Sequence, residues 1–511
     1  MPTRTESIWN ATHQLRRFAP LTRGGSTDVA IVGGGISGLT AAVVLARAGR
    51  SVVVFEKDTI GGGETGHTTS HLTEAVDGRY RALAKTFGNE AAMLVARSSR
   101  EAIDWIEALG TQTGMDTGFL RVPGILYTEN RDDIGQLADE LDAAGRAGCA
   151  VSWVDAVPVP FSTHGGVRWE AQAQVHATAY LEALLHEAQS NGVRFHDRTR
   201  VTGIHDGEPC RIETEHGEVE ARHVFVAANV PINNRVFLHT KIAAYRSYAI
   251  AAEAPPGLQS ALLWDTASPY HYTRTKTIGG TSYVIIGGED HRTGADDETE
   301  RRYQAIGDYA RDRFGVTAVK FRWSGQIIEP VDGLPYIGLN TGAAHVFVAT
   351  GYSGNGMTFG TLAGLIVGDL IVGRPNAYAD LYAATRVTVG AAADYVQENA
   401  AFPAHLLADR LTSHDVDERP IASLKNGEGA VFAGKDGKVA VCRDRDGSLH
   451  AVSAVCTHLA CDVAWNGAEQ TWDCPCHGSR FSPEGKVING PAVTDLAAKP
   501  MAELAGSRRR N

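Results

Sequence analysis

Residues Val29 to Val32, after Asp28, form an unbroken apolar run too short for a helix and closed by glycines, the pattern of a buried strand. The glycine-rich segment Gly33-Gly34-Gly35-Ile36-Ser37-Gly38 follows, then a helical stretch at 39–48 that Gly49 ends. A second apolar strand at 51–55 is closed by Glu56. Strand, helix and strand in this order predict a β-α-β unit with a parallel strand pair.

The middle of the chain mixes predicted helices (90–109, 177–190) with predicted strands (193–196, 224–227, 283–286). This mixture is expected to be a discontinuous α+β insertion. A short strand at 346–349, a glycine-rich turn and a helix at 361–372 come next, and 386–410 reads as alanine-rich and helical. Beyond Arg419-Pro420, short apolar runs are separated by Asp436-Gly437, Asp446-Gly447 and Glu484-Gly485. An acid followed by glycine between apolar runs signals hairpins, so this last part is predicted to be a small all-β domain.

Composition narrows the function classes. A chain of 511 residues is expected to hold two or three domains. A net charge of −11 with interspersed signs argues against nucleic acid as a partner. The terminal Arg508-Arg509-Arg510 reads as a solvated tail. Seven cysteines do not make a disulfide scaffold, and Cys456, Cys461, Cys474 and Cys476 cluster into one local site. Arg16-Arg17 is followed by Ala19-Pro20 rather than an apolar export segment, and the apolar stretch at 362–372 is too short to span a bilayer. The expectation is a cytoplasmic protein without a membrane span.

The chemistry sits at both ends of the chain. In Gly33-x-Gly35-x-x-Gly38 the first glycine allows the tight turn, the second admits a pyrophosphate, and the third lets helix and strand pack closely. The helix N-terminus offers N–H groups to phosphates, and Glu56 is placed to accept from ribose hydroxyls. The β-α-β unit alone does not separate FAD from NAD. A second strand-turn-helix at Gly351-Tyr352-Ser353-Gly354-Asn355-Gly356 favours a flavin, because its helix N-terminus can sit against the pyrimidine edge of the ring. Toward the C-terminus, Cys456-x-His458 and Cys474-x-x-His477 pair thiolates with imidazoles. Zinc sites more often show Cys or His pairs spaced among themselves. Two cysteines and two histidines fit a 2Fe–2S centre in which histidines replace the thiolates on one iron.

GGGISGLTAA with Glu56, DGLPYIG at 332–338 and ATGYSGNGMTFGTLAG at 349–364 resemble the D-amino-acid oxidase family of FAD-dependent oxidoreductases, which includes glycine oxidase and sarcosine oxidase. That resemblance implies FAD held by Gly33, Gly35, Ile36, Ser37, Gly38, Glu56 and Lys57. It places Gly351, Gly354, Asn355, Gly356 and Met357 near the flavin ring. It also implies hydride removal from a carbon bearing an amine. CTHLAC and CPCHGSRF resemble the two loops of Rieske 2Fe–2S proteins, with Gly490-Pro491-Ala492 like that family's proline loop. The resemblance implies Cys456 and Cys474 on one iron, His458 and His477 on the redox-active iron, and a loop-bridging disulfide between Cys461 and Cys476. Ser479 is expected to raise the potential. Phe481 in place of a tyrosine, and Ala460 in place of a glycine, keep it below the top of the Rieske range of roughly −150 to +300 mV.

The expected fold is an α/β FAD-binding Rossmann-like domain with an inserted α+β substrate domain, followed by an all-β Rieske domain. Residues 1–385 form the oxidoreductase, with FAD-binding parts at about 27–85, 165–235 and 325–385 and substrate-binding parts at about 86–164 and 236–324. A helical linker covers 386–418, and the Rieske domain covers 419–511. On the substrate side an amino acid would need a cation for its carboxylate, and Arg274 is the candidate. Tyr272 and His71 are candidate pocket residues. The expected partners are a small amine or amino acid and an external one-electron acceptor, a protein or quinone. The reverse electron flow, and a redox sensor without turnover, remain open alternatives.

Overall fold

The computed structural model describes residues 5–232, 238–296, 298–388, 416–435 and 437–500. The first β-α-β unit is Gly25–Val32, Ile36–Arg47 and Val52–Phe55, with the two strands parallel. Its strands are buried on both faces, as a continuous apolar run requires. They sit in an eight-stranded sheet with Gly217–Val226, Val346–Thr350, Tyr336–Leu339 and Arg194–His196. Helix Gly356–Val372 lies against helix Ile36–Arg47 across Gly360, Gly364 and Gly368. Both glycine-rich turns therefore open toward the same edge of this sheet.

A nine-stranded sheet forms the second layer of the molecule. Its long strands are Ile242–Glu253, Thr281–Arg292 and Val319–Pro330, all antiparallel neighbours. It also takes in His71–Leu72 and Gly166–Gln174, so its strands reach across the expected boundaries at 86, 165 and 325. These segments alternate in the same way whichever sheet receives them, so pattern alone could not assign them.

The C-terminal part forms a three-stranded and a four-stranded antiparallel sheet. Antiparallel pairs flank the three expected turns: Gly429–Gly434 with Gly437–Arg443, the latter with Leu449–Ser453, and Arg480–Phe481 with Val487–Asn489; Asp436 itself lies outside the described residues. The ends of the expected linker, 386–388 and 416–418, carry no helix. The rest of it, and the Arg508-Arg509-Arg510 tail, lie outside the described residues. Among the described residues no helix is long and apolar enough to cross a membrane.

Candidate functional site: a flavin cavity walled by the cluster domain

The first glycine motif makes a cradle. Gly33 has φ +109°, and a side chain at Gly38 would put its Cβ 2.0 Å from the Gly33 carbonyl oxygen. Glu56 accepts from the Gly34 N–H at 2.9 Å and from the Asp58 N–H at 3.2 Å. Burial raises its pKa, and these two bonds oppose the rise. Ser37 Oγ and Tyr352 Oη lie 2.9 Å apart, which ties the first motif to the second across 315 positions.

A cavity of about 470 Å³ runs between the two motifs. Gly33, Gly35, Ile36, Ser37, Glu56 and Lys57 line it at one part, and Gly354, Asn355, Gly356 and Met357 at another. Gly38 and Gly351 are not among the lining residues. Gly38 acts through close packing, and Gly351, at φ +78°, turns the chain at the start of the second motif. Asp77, which no motif announced, lines the cavity and accepts from the Gly354 N–H. Backbone donors, a carboxylate for ribose and a second helix N-terminus fit a bound FAD.

Trp264, Tyr270, Tyr272 and His71 line the same cavity. His71 packs edge-on against Tyr272, and burial with the nearby Arg274 charge pushes its pKa down to about 3. It is therefore a neutral imidazole. Tyr272 Oη is 2.7 Å from Ser247 Oγ, and burial keeps the phenol protonated. Arg274 departs from expectation. It donates to the Ser70 and Val175 carbonyls, stacks over Trp9, and is not among the cavity-lining residues. Its guanidinium is fully buried and turned toward backbone carbonyls and Trp9 instead of the cavity, so it does not meet a substrate carboxylate there. Arg246, two strands away in the same sheet, does line the cavity. It is 1% exposed, and its Nε and Nη1 have no hydrogen-bond partner. Sequence gave no sign of it because its ion-pair partner, Glu469 at 3.3 Å, is 223 positions away.

In the C-terminal domain Cys456 and Cys474 are free, buried thiols. A hydrogen bond from the Cys474 thiol, with the backbone at His458 and Leu459 and the Ser479 hydroxyl, lowers the Cys456 pKa. The same contact raises that of Cys474. The His458 and His477 rings lie 5.0 Å apart, edge to face. The structure joins Cys461 and Cys476 in a disulfide. Cys461, Cys474 and Cys476 also crowd together, but the disulfide occupies two of these sulfurs, so the two thiols with the two imidazoles make the usable donor set. Those four residues fit a 2Fe–2S cluster, with backbone N–H groups and Ser479 supporting the sulfurs.

The two sites meet. Glu469, Thr471, Arg480 and Asn489 of the C-terminal domain line the flavin cavity. Asn489 Nδ2 donates to Glu64 Oε1 at 2.8 Å, Arg200 pairs with Asp495 at 2.9 Å, and Tyr303 Oη donates to Glu469 at 2.8 Å.

Residues 28–370 match the family model described as FAD dependent oxidoreductase, and residues 415–500 match the Rieske [2Fe-2S] domain. A putative Rieske 2Fe-2S iron-sulfur protein of Bacillus subtilis, YhfW, is 29% identical over 96% of this chain and 97% of its own length. The gamma-glutamylputrescine oxidoreductase of Escherichia coli is 25% identical over 75% of this chain and 93% of its own length. The glycine oxidase structure from Geobacillus kaustophilus superposes with a TM-score of 0.60 at 22% identity, over 71% of this chain and 99% of that one. The chain belongs to the FAD-dependent oxidoreductase family, and its C-terminal part is a Rieske [2Fe-2S] domain.

Proposed function

We propose that the protein oxidises a small amine or amino acid at a C–H bond next to nitrogen, and passes the electrons singly through the Rieske domain to an external acceptor. The observation that carries this reading is the shared wall: Glu469, Arg480 and Asn489 of the cluster domain line the flavin cavity. Bound there, FAD supplies a two-electron hydride acceptor, and the cluster a one-electron carrier.

The chain's own residues bind, orient and exclude water. Glu56 is the acceptor for ribose hydroxyls, and the backbone of 33–38 receives the pyrophosphate. Trp264, Tyr270 and Tyr272 form an aromatic face that can hold an amine with its C–H bond directed at the ring. Tyr272 stays protonated, so its hydroxyl donates, while neutral His71 can accept from an amine N–H. Arg246 is the lining cation suited to a carboxylate, should the substrate carry one. Cys456, Cys474, His458 and His477 hold the cluster.

Anaerobic stopped-flow mixing with an amine and amino-acid panel tests the reading. Flavin absorbance should bleach first, and cluster absorbance second. Cluster reduction by substrate in protein stripped of flavin would refute that order.

A further inference from the structure

Gln326 occupies an unusual position. It sits on the strand Val319–Pro330 directly opposite Arg246, is 6% exposed, and lines the flavin cavity. Its Nε2 donates to the Gly478 carbonyl at 2.7 Å, and its Oε1 accepts from Asn229 Nδ2 at 3.1 Å. Both ends of the amide are used, which fixes its orientation. Gly478 is covalently joined to His477. It has φ +78°, and a Cβ there would lie 2.3 Å from the Ala244 side chain. The approach of the two domains at this point therefore depends on the missing side chain. Close by, His239 of the flavoprotein part is 3% exposed and packs edge-on against His458 and His477, at 4.9 and 5.7 Å between ring centroids.

We propose that Gln326 is the coupling residue between the two redox centres, a positioning group whose amide links the flavin cavity through Gly478 to His477. This inference rests on the proposed flow of electrons between flavin and cluster. Electron tunnelling weakens steeply across empty space and less across covalent and hydrogen bonds. One hydrogen bond and the Gly478 backbone join the cavity wall to a residue that holds the redox-active iron. The transfer makes and breaks no bond: one electron leaves the reduced flavin, and one ferric iron becomes ferrous. His239 packs edge-on against the same two imidazoles.

Flash photoreduction of the flavin, with EDTA as electron donor, tests the route in the full-length holoprotein without needing a substrate. Gln326→Met keeps the volume and removes both amide bonds. Gln326→Leu also removes both amide bonds, with a different side-chain shape, and serves if the first variant assembles poorly. Both should slow cluster reduction severalfold after the flash, with an unchanged cluster potential and an unchanged EPR spectrum of the dithionite-reduced cluster. Cluster reduction at the wild-type rate in variants with that intact spectrum overturns the proposal. So does a loss of rate that comes only with an altered spectrum, because the residue would then merely hold the domains together. Absence of flash-driven transfer in the wild type overturns it too. Normal flash transfer without reduction by any amine would instead refute the proposed substrate class alone.

Discussion

Ala460 stands in the left-handed region at φ +61°, inside the loop that carries Cys456 and His458. A side chain there costs about 1–2 kcal/mol, which glycine avoids. Ala460→Gly should therefore raise the stability of the cluster domain by about 1 kcal/mol, net of glycine's greater freedom when unfolded, seen as a higher melting temperature. Gly38 is the opposite case. Gly38→Ala sets a methyl against the Gly33 carbonyl, so the purified variant should carry less flavin per chain, read from the ratio of flavin to protein absorbance. Individual residues also mark where sequence reading stops. The glycines and the Cys and His spacings were legible because their chemistry is local. Arg274 and Arg246 were not distinguishable, since what separates them is which one meets backbone carbonyls and which one meets the cavity.

At the level of elements, the disulfide between Cys461 and Cys476 joins the two loops that carry the proposed cluster ligands. Their sequence separation is 15, for which chain entropy gives about 3 kcal/mol. The double variant Cys461→Ser, Cys476→Ser should lose about that much stability in the C-terminal domain. Its visible spectrum should bleach faster on warming, whereas an unchanged bleaching rate would deny the bridge a structural part. The hairpins of this domain were readable from acid–glycine pairs, because turn geometry is a local demand. The membership of Gly166–Gln174 was not, because a strand's partner is chosen by packing at long range.

At the scale of the whole molecule, a buried ionic group fastens the two parts. Glu469 lies between Arg246 at 3.3 Å and Arg480 at 3.7 Å, and Arg480 also pairs with Asp473 at 3.1 Å. Burial would raise the Glu469 pKa, but the two arginines lower it overall, so it stays ionised. Removing one partner of such a group leaves charges uncompensated and costs about 3–5 kcal/mol. Glu469→Gln should split one calorimetric unfolding transition into two, as the domains lose their common lock. Acid acts on other groups. Burial, with neighbouring positive charge, holds His71 at about 3 and His176 at about 4, and burial foremost holds His291 at about 4. Against an unfolded value of about 6.5, each is depressed, so the unfolded chain binds more protons below that pH. Their contribution is complete above pH of about 6.5 and is lost as pH falls toward 4, by up to about 1.4 kcal/mol per pH unit for each group. Urea unfolding at pH 7 and pH 5 should show it, and equal midpoints would contradict the neutral state of these rings.

The wall that Glu469, Arg480, Asn489 and their neighbours give to the flavin cavity comes from a later stretch of chain than the flavoprotein residues that line the rest of it. Synthesis proceeds from the N-terminus, and domains fold as they emerge. The residues expected to hold the dinucleotide are thus all made before the wall that completes its berth. Completing the berth is the work of the chain's last stretch.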